Sequence, residues 1–295
     1  MNLAATDRAA CDASAPDRYA VVGHPVAHSL SPRIHAEFAR LTGERIDYGR
    51  LDCPRERFAA AIAGFAAGGA RGCNVTVPFK FEALGHGSVR VASERAQLAG
   101  AANTLRFDAG GWFADNTDGV GLVTDLEVHA GRRIAGCRLL LVGAGGAAAG
   151  VLGPLLDARP AEVVVANRTA DKAVRLVARH AARAHERCAA LRAAPLNGAG
   201  GGFDLVVNAS ASSLHGSVSP VPRSVFGAGA LAVDLMYGPA AAPFLAWARA
   251  AGAAARDGLG MLVEQAAESF WLWRGVRPPT APVLAQLRAE LAGAG

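Results

Sequence analysis

The sequence predicts an α/β protein with two domains, and three observations support this fold class. The chain has 295 residues, which is enough for two domains of ordinary size. Short apolar runs alternate with segments of helical periodicity, as in a mainly parallel sheet covered by helices. A glycine-rich run at residues 143–148 follows one apolar run and opens a helical segment, which is typical of a doubly wound nucleotide-binding sheet.

The elements of the first half follow from these patterns. Strands are predicted at residues 19–23, 46–51 and 72–77, with a hairpin formed by 104–107 and 112–113. Helices are predicted from residue 31 to about residue 41 and at 58–65. Ser31 is the predicted N-cap of the first helix, because serine favours that position and Pro32 favours the first helical position. Residues 1–17 have no apolar signal-peptide region and are predicted to be a short disordered tail.

The second half repeats the alternation of strands and helices. A helix from residue 120 to about 130 is predicted to join the domains, and strands are predicted at 138–142, 162–166, 203–208 and 231–235. Helices are predicted from the glycine run to about residue 156, at 171–180 and at 243–250, with a loop at 193–202. Residues 258–274 carry bulky apolar side chains at helical spacing, which predicts a helix that packs back on the first domain. The predicted domains are residues 18–117 together with 258–295, and residues 118–257.

Composition and charge argue against several classes of function. The net charge of +5 comes mostly from scattered arginines, whereas nucleic-acid-binding proteins concentrate basic residues on one face. No apolar stretch is long enough to span a bilayer, so neither nucleic acid nor a membrane is an expected partner. The five cysteines contain no Cys-x-x-Cys pair, which favours reduced thiols in the cytoplasm. The histidines show no paired metal-ligand spacing, and no metal site is predicted.

The glycine-rich run predicts a dinucleotide site. Gly143 would permit the tight turn after the strand, and Gly145 would let backbone N–H groups reach a pyrophosphate at the helix N-terminus. Ala147 and Ala148 are small enough for the helix to approach the strand closely. The alternative is a turn with a purely structural role.

The end of the next predicted strand indicates which dinucleotide binds. Asn167-Arg168-Thr169 contains no acidic side chain that could bind the ribose 2′-hydroxyl, and Arg168 and Lys172 place positive charge there. Guanidinium groups match phosphate geometry, so NADP is favoured over NAD. The alternative is an ordinary helix N-terminus with a capping side chain and an exposed arginine.

Lys80 and Asp118 are the predicted catalytic pair. Lys80 ends a predicted strand, near the carboxyl edge where α/β sheets bind ligands. Reduction of a carbonyl group develops negative charge on its oxygen, which a protonated lysine can stabilise and protonate. Asp118, within Asp-Asn-Thr-Asp-Gly at 115–119, would orient the lysine and keep it charged. The alternatives are a solvated lysine and an aspartate that caps the next helix.

Seven further polar residues are candidates for binding a small polyhydroxylated substrate. Ser29 and Ser31 are two residues apart, so both hydroxyls could bind one carboxylate. Amides and hydroxyls at the predicted sheet edge could bind ring hydroxyls, and two residues from the second half could close the pocket. These are Asn74, Thr76 and Asn103, with Tyr237 and Gln265.

These motifs, in this order, resemble those of the shikimate dehydrogenase family over about residues 18–290. The matching segments are Val-Gly-His-Pro at 22–25, Ser-Leu-Ser-Pro at 29–32, Asn-Val-Thr-Val-Pro-Phe-Lys at 74–80, Gly-Ala-Ala-Asn-Thr at 100–104, Asp-Asn-Thr-Asp-Gly at 115–119, Gly-Ala-Gly-Gly-Ala at 143–147, Asn-Arg-Thr at 167–169, Asp-Leu-Met-Tyr at 234–237 and Asp-Gly-Leu-Gly-Met at 257–261. The resemblance implies an N-terminal substrate domain, a Rossmann-type doubly wound NADP domain and a C-terminal helix that returns to the first domain.

The resemblance also implies an activity and its residues. The implied reaction is the reversible reduction of 3-dehydroshikimate to shikimate with NADPH, in chorismate and aromatic amino-acid biosynthesis. Lys80 and Asp118 match the family's catalytic pair, and the seven polar residues match its substrate contacts. The implied cofactor contacts are Gly143, Ala144, Gly145, Gly146, Ala147, Asn167, Arg168, Thr169, Lys172, Leu235, Gly258, Gly260 and Met261.

Departures from the family pattern keep alternatives open. Ala148 and Ala149 stand where many members have Ser-Arg, and Lys172 stands where a second arginine is common, so the hold on a 2′-phosphate is expected to be weaker. One alternative is a quinate/shikimate dehydrogenase that uses NAD, and another is a non-catalytic nucleotide-sensing paralogue. A monomer or a homodimer is expected.

Overall fold

The computed structural model describes residues 15–210 and 221–293, and its first part is a mixed six-stranded sheet. The strands are β1 (Asp17–Gly23), β2 (Ile46–Asp52), β3 (Gly72–Val75), β4 (Val89–Ala92), β5 (Thr104–Arg106) and β6 (Trp112–Asp115), in the spatial order β2-β1-β3-β5-β6-β4. Strands β1, β2 and β3 are parallel, and β5 is antiparallel to both β3 and β6. The carboxyl ends of β3 and β6 therefore meet the start of β5 at one edge of the sheet.

Four helices belong to this part of the chain: α1 (Ser31–Thr42), α2 (Phe58–Ala67), α3 (Lys80–Leu84) and α4 (Glu94–Ala99). The predicted N-cap of α1 is wrong by one residue. Leu30 is the N-cap and Ser31 is the first helical residue, while the Ser29 hydroxyl accepts a hydrogen bond from the Ser31 backbone N–H at 3.3 Å. The cap is supplied from two residues upstream because Ser29 is the last hydroxyl before the chain turns into the helix.

The second part is a six-stranded parallel sheet of the Rossmann type. Its strands are β7 (Arg138–Val142), β8 (Glu162–Ala166), β9 (Ala190–Ala194), β10 (Phe203–Asn208), β11 (Phe226–Asp234) and β12 (Ala254–Arg256), in the order β12-β11-β10-β7-β8-β9. The central strands are continuous apolar runs because helices cover both faces of the sheet. From β7, the chain builds the sheet outward in one direction through β8 and β9, and in the other direction through β10, β11 and β12. Such a switch point leaves a crevice for a ligand at the carboxyl ends of β7 and β10.

The remaining helices surround this sheet and connect it to the first. They are α5 (Asp118–Thr124), which continues into a π-helical turn (Asp125–His129), α6 (Gly146–Asp157), α7 (Ala170–Glu186), α8 (Ala242–Ala250), α9 (Leu259–Arg274) and α10 (Ala281–Gly293). Ile34 and Phe38 of α1 pack in one buried cluster with Val263 and Phe270 of α9. The predicted fold class and the predicted return of the C-terminal helix are thus confirmed.

Several boundaries differ from the prediction. The tail predicted at 1–17 lies almost wholly outside the described residues, but Asp17 belongs to β1, where it pairs with Arg71 at 3.1 Å and with Arg274. The predicted loop at 193–202 begins only after Ala194, the last residue of β9. Strand β11 starts five residues before the predicted 231. Apart from Asp17, the two sheets fall within the two predicted domains, and the boundaries 18–117 with 258–295 and 118–257 stay a prediction.

No helix in residues 15–210 or 221–293 has the length and the apolar composition needed to cross a bilayer.

Candidate active site

The sheet register brings three of the sequence motifs to one edge. Asn74 at the end of β3 lies opposite Thr104 at the start of β5, and Thr104 lies opposite Asp115 at the end of β6. Lys80 begins α3 shortly after β3, and Asp118 begins α5 shortly after β6. Segments that are far apart in sequence therefore deliver polar side chains to one place.

Lys80 and Asp118 form a close ion pair. Lys80 Nζ lies 2.5 Å from Asp118 Oδ2, and the two side chains are only 12% and 5% exposed. A charged pair shielded from water interacts more strongly than one on the surface. The alternative in which Asp118 is a helix cap is wrong, because Thr117 is the N-cap and Asp118 is the first residue of α5.

The pair lies directly against the glycine turn of the second sheet. A Cβ atom on Gly146, the first residue of α6, would lie 3.2 Å from Lys80 Cβ and 3.6 Å from Lys80 Cδ. The absence of a side chain at residue 146 therefore lets the lysine stem pass beside the helix start. The structure thus brings together the predicted catalytic pair and the predicted dinucleotide loop.

Asn103 connects the pair to the returning helix. Its side-chain amide donates to Asp118 Oδ1 at 2.9 Å and to Gln265 Oε1 at 3.1 Å. Its Oδ1 atom accepts from the Thr117 backbone N–H at 2.8 Å. Asn103 and Gln265 are 2% and 8% exposed, so the network lies in a sheltered place where each hydrogen bond restricts the side chains it joins.

Asn74 is fixed from several sides. The Tyr48 phenol donates to Asn74 Oδ1 at 2.7 Å, and Asn74 Nδ2 donates to Ser269 Oγ at 2.9 Å. Burial raises the pKa of Tyr48 well above its usual value, with a smaller opposing effect from a hydrogen bond to Ser31. Thr76, two residues after Asn74, is half-buried, and its methyl group packs on Gly23.

Ser29, Ser31 and Tyr237 form a second group around Leu30. The two serine hydroxyl oxygens are 3.2 Å apart, which confirms that they are adjacent, although Ser31 lies in a helix rather than in an extended segment. Tyr237 packs against the same buried cluster as Leu30. Burial raises the pKa of Tyr237, while the Leu30 backbone and the positive charge of Arg50 partly offset the effect.

Sequence reasoning missed the residues that hold the segment 115–118, which leads to Asp118. The Asp115 carboxylate receives two hydrogen bonds from the Arg95 guanidinium, at 2.6 and 2.7 Å, and one from the Asn116 backbone N–H at 2.7 Å. Arg95 also reaches Glu268 of α9 at 3.0 Å. These contacts fix the direction of the segment 115–118. Neither Arg95 nor Glu268 carries a local sequence signal, because a charged side chain on a helix is most often solvated.

The glycine loop makes a tight turn before the N-terminus of α6. Gly143 has a φ of +113°, and a Cβ atom there would lie 2.9 Å from the Ala209 carbonyl oxygen. Gly145 is exposed, and nothing lies within 4 Å of the position its Cβ would occupy. The first N–H groups of α6, at Gly146 and Ala147, have no partners within the helix.

At the end of β8, Asn167 Nδ2 donates to the Thr169 carbonyl oxygen at 2.9 Å, and Arg168 and Lys172 are exposed. In the part of the chain that the structure describes, neither cation has an ion-pair partner. Thr169 is the N-cap residue of α7 but its side chain makes no capping hydrogen bond. The role of Arg168 and Lys172 toward a 2′-phosphate stays a prediction.

The other predicted cofactor residues are more buried. Gly258 packs on the Leu235 carbonyl group at the end of β11. Gly260 packs on the carboxylate of Asp125, and Met261 belongs to the core beside α5. Their roles toward a cofactor stay a prediction. Among the described residues, no group of three or more His, Cys, Asp or Glu side chains could hold a metal ion.

Three family models match the chain. Residues 21–105 match the shikimate dehydrogenase substrate binding domain, and residues 126–215 match shikimate / quinate 5-dehydrogenase. Residues 258–288 match the shikimate 5′-dehydrogenase C-terminal domain.

Individual relatives are similar over almost their whole length. Shikimate dehydrogenase (NADP(+)) of Methylibium petroleiphilum is 64% identical over 98% of this chain and 99% of its own. The crystal structure of an Ael1 enzyme from Pseudomonas putida is 44% identical, with a TM-score of 0.81 over 92% of this chain and 98% of its own. Shikimate 5-dehydrogenase from Thermus thermophilus, solved in complex with NADP(H) and shikimate, is 35% identical, with a TM-score of 0.80 over 92% and 99%.

Proposed function

Because this chain belongs to the shikimate dehydrogenase family, we propose that it catalyses the reversible NADPH-dependent reduction of 3-dehydroshikimate to shikimate. The observation that carries the proposal is the Lys80–Asp118 pair lying against Gly146 at the dinucleotide turn. Relatives 64% and 59% identical are named as NADP-dependent shikimate dehydrogenases. The product is an intermediate of chorismate and aromatic amino-acid biosynthesis.

When bound, NADP would supply reversible hydride-transfer chemistry at C3 of the substrate. The glycine turn would hold the pyrophosphate through the backbone N–H groups of α6. Arg168 and Lys172 would hold the 2′-phosphate. The absence of an acidic residue at 167–169 argues against an NAD-preferring quinate/shikimate dehydrogenase.

The chain's own contribution is the proton and its placement. Lys80 Nζ would donate a proton to the C3 oxygen as that atom gains negative charge, and would accept it back in the reverse direction. Asp118 Oδ2 holds the ammonium group at 2.5 Å, and Asn103 holds the other carboxylate oxygen at 2.9 Å. The aspartate therefore has little freedom to turn away from the lysine.

The choice of lysine is informative in this chain. Among its 30 Lys and Arg residues, only Lys80 and Lys172 are lysines. A guanidinium stays protonated at all accessible pH values, whereas an ammonium group can release its proton. A lysine at residue 80 is thus the residue expected where a proton must move.

Substrate recognition would divide between the two polar groups. Ser29, Ser31 and Tyr237 would bind the carboxylate through uncharged donors. The ring hydroxyls would meet Asn74, Thr76, Asn103 and Gln265, of which Asn103 donates hydrogen bonds to both Asp118 and Gln265. The cytoplasmic location and the monomeric or dimeric state expected from the sequence stay predictions.

The test is an absorbance assay at the NADPH band with shikimate as the hydride donor. Lys80→Arg keeps the charge but removes the transferable proton, so turnover should fall by a factor of about 100 or more. Asp118→Asn should lower turnover strongly, while its matched control Asp108→Asn, on an exposed turn, should not. Circular dichroism would check that each variant is folded.

Near-normal turnover in both Lys80→Arg and Asp118→Asn would contradict the assigned roles. A folded wild-type protein that oxidises no NADPH with 3-dehydroshikimate would instead favour the nucleotide-sensing alternative. Faster turnover with quinate and NAD than with shikimate and NADP would favour the quinate/shikimate alternative.

A further inference from the structure

Arg50 lies beside the Ser29–Ser31–Tyr237 group, which is where the proposed site would bind the substrate carboxylate. It is near the end of β2, where its partner in the register is Val21 of β1. Its guanidinium donates a hydrogen bond from Nη2 to the Ser29 backbone carbonyl at 2.6 Å. The exposed side chain therefore bends over the loop that carries Ser29.

No carboxylate among the described residues neutralises the charge of Arg50. Among the described residues, none forms an ion pair with it, whereas Arg33 and Arg40 on the neighbouring α1 both pair with glutamates. The nearest acid along the strand is Asp52, which lies on the same face. That carboxylate accepts a hydrogen bond from the Val26 backbone N–H at 3.0 Å and lies 2.6 Å from His24 Nδ1.

The electrostatic effect of Arg50 reaches the substrate group. Its positive charge acts on the Tyr237 phenol, where it opposes the effect of burial on the pKa. Ser29, Ser31 and Tyr237 are neutral hydrogen-bond donors, which attract an anion only at short range. The other cation of the site, Lys80, is held by Asp118. Arg50 is therefore the nearby charge that can act on an approaching anion over several ångströms.

We propose that Arg50 is a specificity-determining residue, which attracts the carboxylate of the substrate to the Ser29–Ser31–Tyr237 group and selects carboxylate-bearing rings over uncharged ones. This inference rests on the proposed function. One of the five guanidinium N–H groups is engaged by the Ser29 carbonyl, and the others are available to the anion. A charge at the rim of a site acts mainly on association and on its salt dependence.

The experiment compares shikimate with its uncharged methyl ester in the wild type and in Arg50→Gln. The glutamine side chain can still donate to the Ser29 carbonyl but has no charge. We expect the KM for shikimate to rise about tenfold in Arg50→Gln, while kcat changes less than about twofold. The KM for the methyl ester and the KM for NADP should stay unchanged. Arg50→Lys should restore most of the affinity for shikimate.

Salt dependence gives a second readout. In the wild type, the KM for shikimate should rise with sodium chloride concentration, and in Arg50→Gln this rise should be much smaller. Arg45→Gln is the matched control, because it removes an exposed arginine just before the same strand and should leave both substrates unaffected.

Two outcomes would overturn the inference. An equal rise of KM for the acid and the ester would mean that Arg50 only braces the loop through the Ser29 carbonyl. An unchanged KM for shikimate would mean that Arg50 plays no part. A wild type that fails to oxidise shikimate would remove the proposed function and this inference together, whereas an active wild type with an unaffected Arg50→Gln would remove the inference alone.

Discussion

Replacement of His35 should make the protein less sensitive to mild acid. His35 is fully buried, its ring stacks on Tyr48 at 4.1 Å, and neither ring nitrogen has a hydrogen-bond partner among the described residues. Burial lowers the pKa of His35 from 6.5 to about 3, because it disfavours the charged imidazole, and the Asn74 side chain opposes this effect only weakly. The aromatic neighbours Phe270 and Trp273 cannot take up the proton either.

The direction in which pH changes the unfolding free energy follows from the pKa of His35 in the folded and unfolded states. Because the folded pKa lies below that of the unfolded chain, the unfolded state binds a proton first as the pH falls. The stability associated with the neutral ring is present above about pH 6.5 and is lost between pH 6.5 and 3. Between pH 7.5 and 5.0 the loss from this residue is about 2 kcal/mol, a value that depends on the unfolded pKa and only weakly on the folded one.

The assay is urea unfolding at pH 7.5 and pH 5.0 for the wild type, His35→Phe and His35→Gln. The loss of unfolding free energy on acidification should be about 2 kcal/mol smaller in both variants than in the wild type. The two replacements differ in packing, so their stabilities at pH 7.5 can differ while their pH dependence agrees. His180, whose pKa burial also lowers, is present in all three proteins and cancels in the comparison. If both variants lost as much unfolding free energy between pH 7.5 and pH 5.0 as the wild type does, the reasoning would be refuted.

Two further perturbations have clear expected outcomes. Gly260→Ala should lower the unfolding free energy by about 3–5 kcal/mol, because the new methyl group would displace Asp125 from its buried ion pair with Arg256. The control Gly64→Ala, in an open helical position, should instead raise the unfolding free energy by up to about 1 kcal/mol. Equal urea midpoints for the two variants would contradict this. Arg168→Gln should raise the KM for NADP about tenfold and leave the KM for NAD unchanged. The control Arg175→Gln, at an exposed position of α7 seven residues later, should change neither KM. A parallel rise of KM for both cofactors in Arg168→Gln would exclude a 2′-phosphate role.

The proximity of Lys80 and Asp118 was predictable because both lie in short motifs at strand ends. Lys80 and Asp118 each follow a strand of one sheet, and an α/β sheet collects such positions at its edge. Asn103 was predictable for the same reason, since β5 runs antiparallel to β3 and starts where β3 ends. In each case a short sequence motif identified the residue, and the pairing of the strands brought the residues close together.

The supporting residues were not predictable in this way. Arg95 and Glu268 are 173 residues apart, and each alone is indistinguishable from a solvated charge on a helix. Tyr48 reads as an ordinary core residue until Asn74 is placed beside its hydroxyl. Their roles depend on tertiary contacts that no spacing within the chain encodes.

The missed secondary structure has a similar cause. Strand β4 (Val89–Ala92) is half-exposed and only four residues long, so it shows neither a continuous apolar run nor a clear alternation. Strand β9 (Ala190–Ala194) is mostly alanine and contains one arginine. Both lie at sheet edges, where pairing with a neighbour decides the conformation more than intrinsic preference does.

The crossing of α5 and α9 sets the width of the recess between their polar side chains. A Cβ atom on Gly121 of α5 would lie 2.7 Å from the Gln265 backbone nitrogen and 2.8 Å from the Met261 carbonyl oxygen. Asp118 lies on α5 and Gln265 lies on α9. The distance between these two side chains therefore depends on the absence of a Cβ atom at Gly121, which lets the two helices approach closely. Redesign for bulkier hydroxy acids would therefore begin at this contact between backbones, before any of the hydrogen-bonding groups is altered.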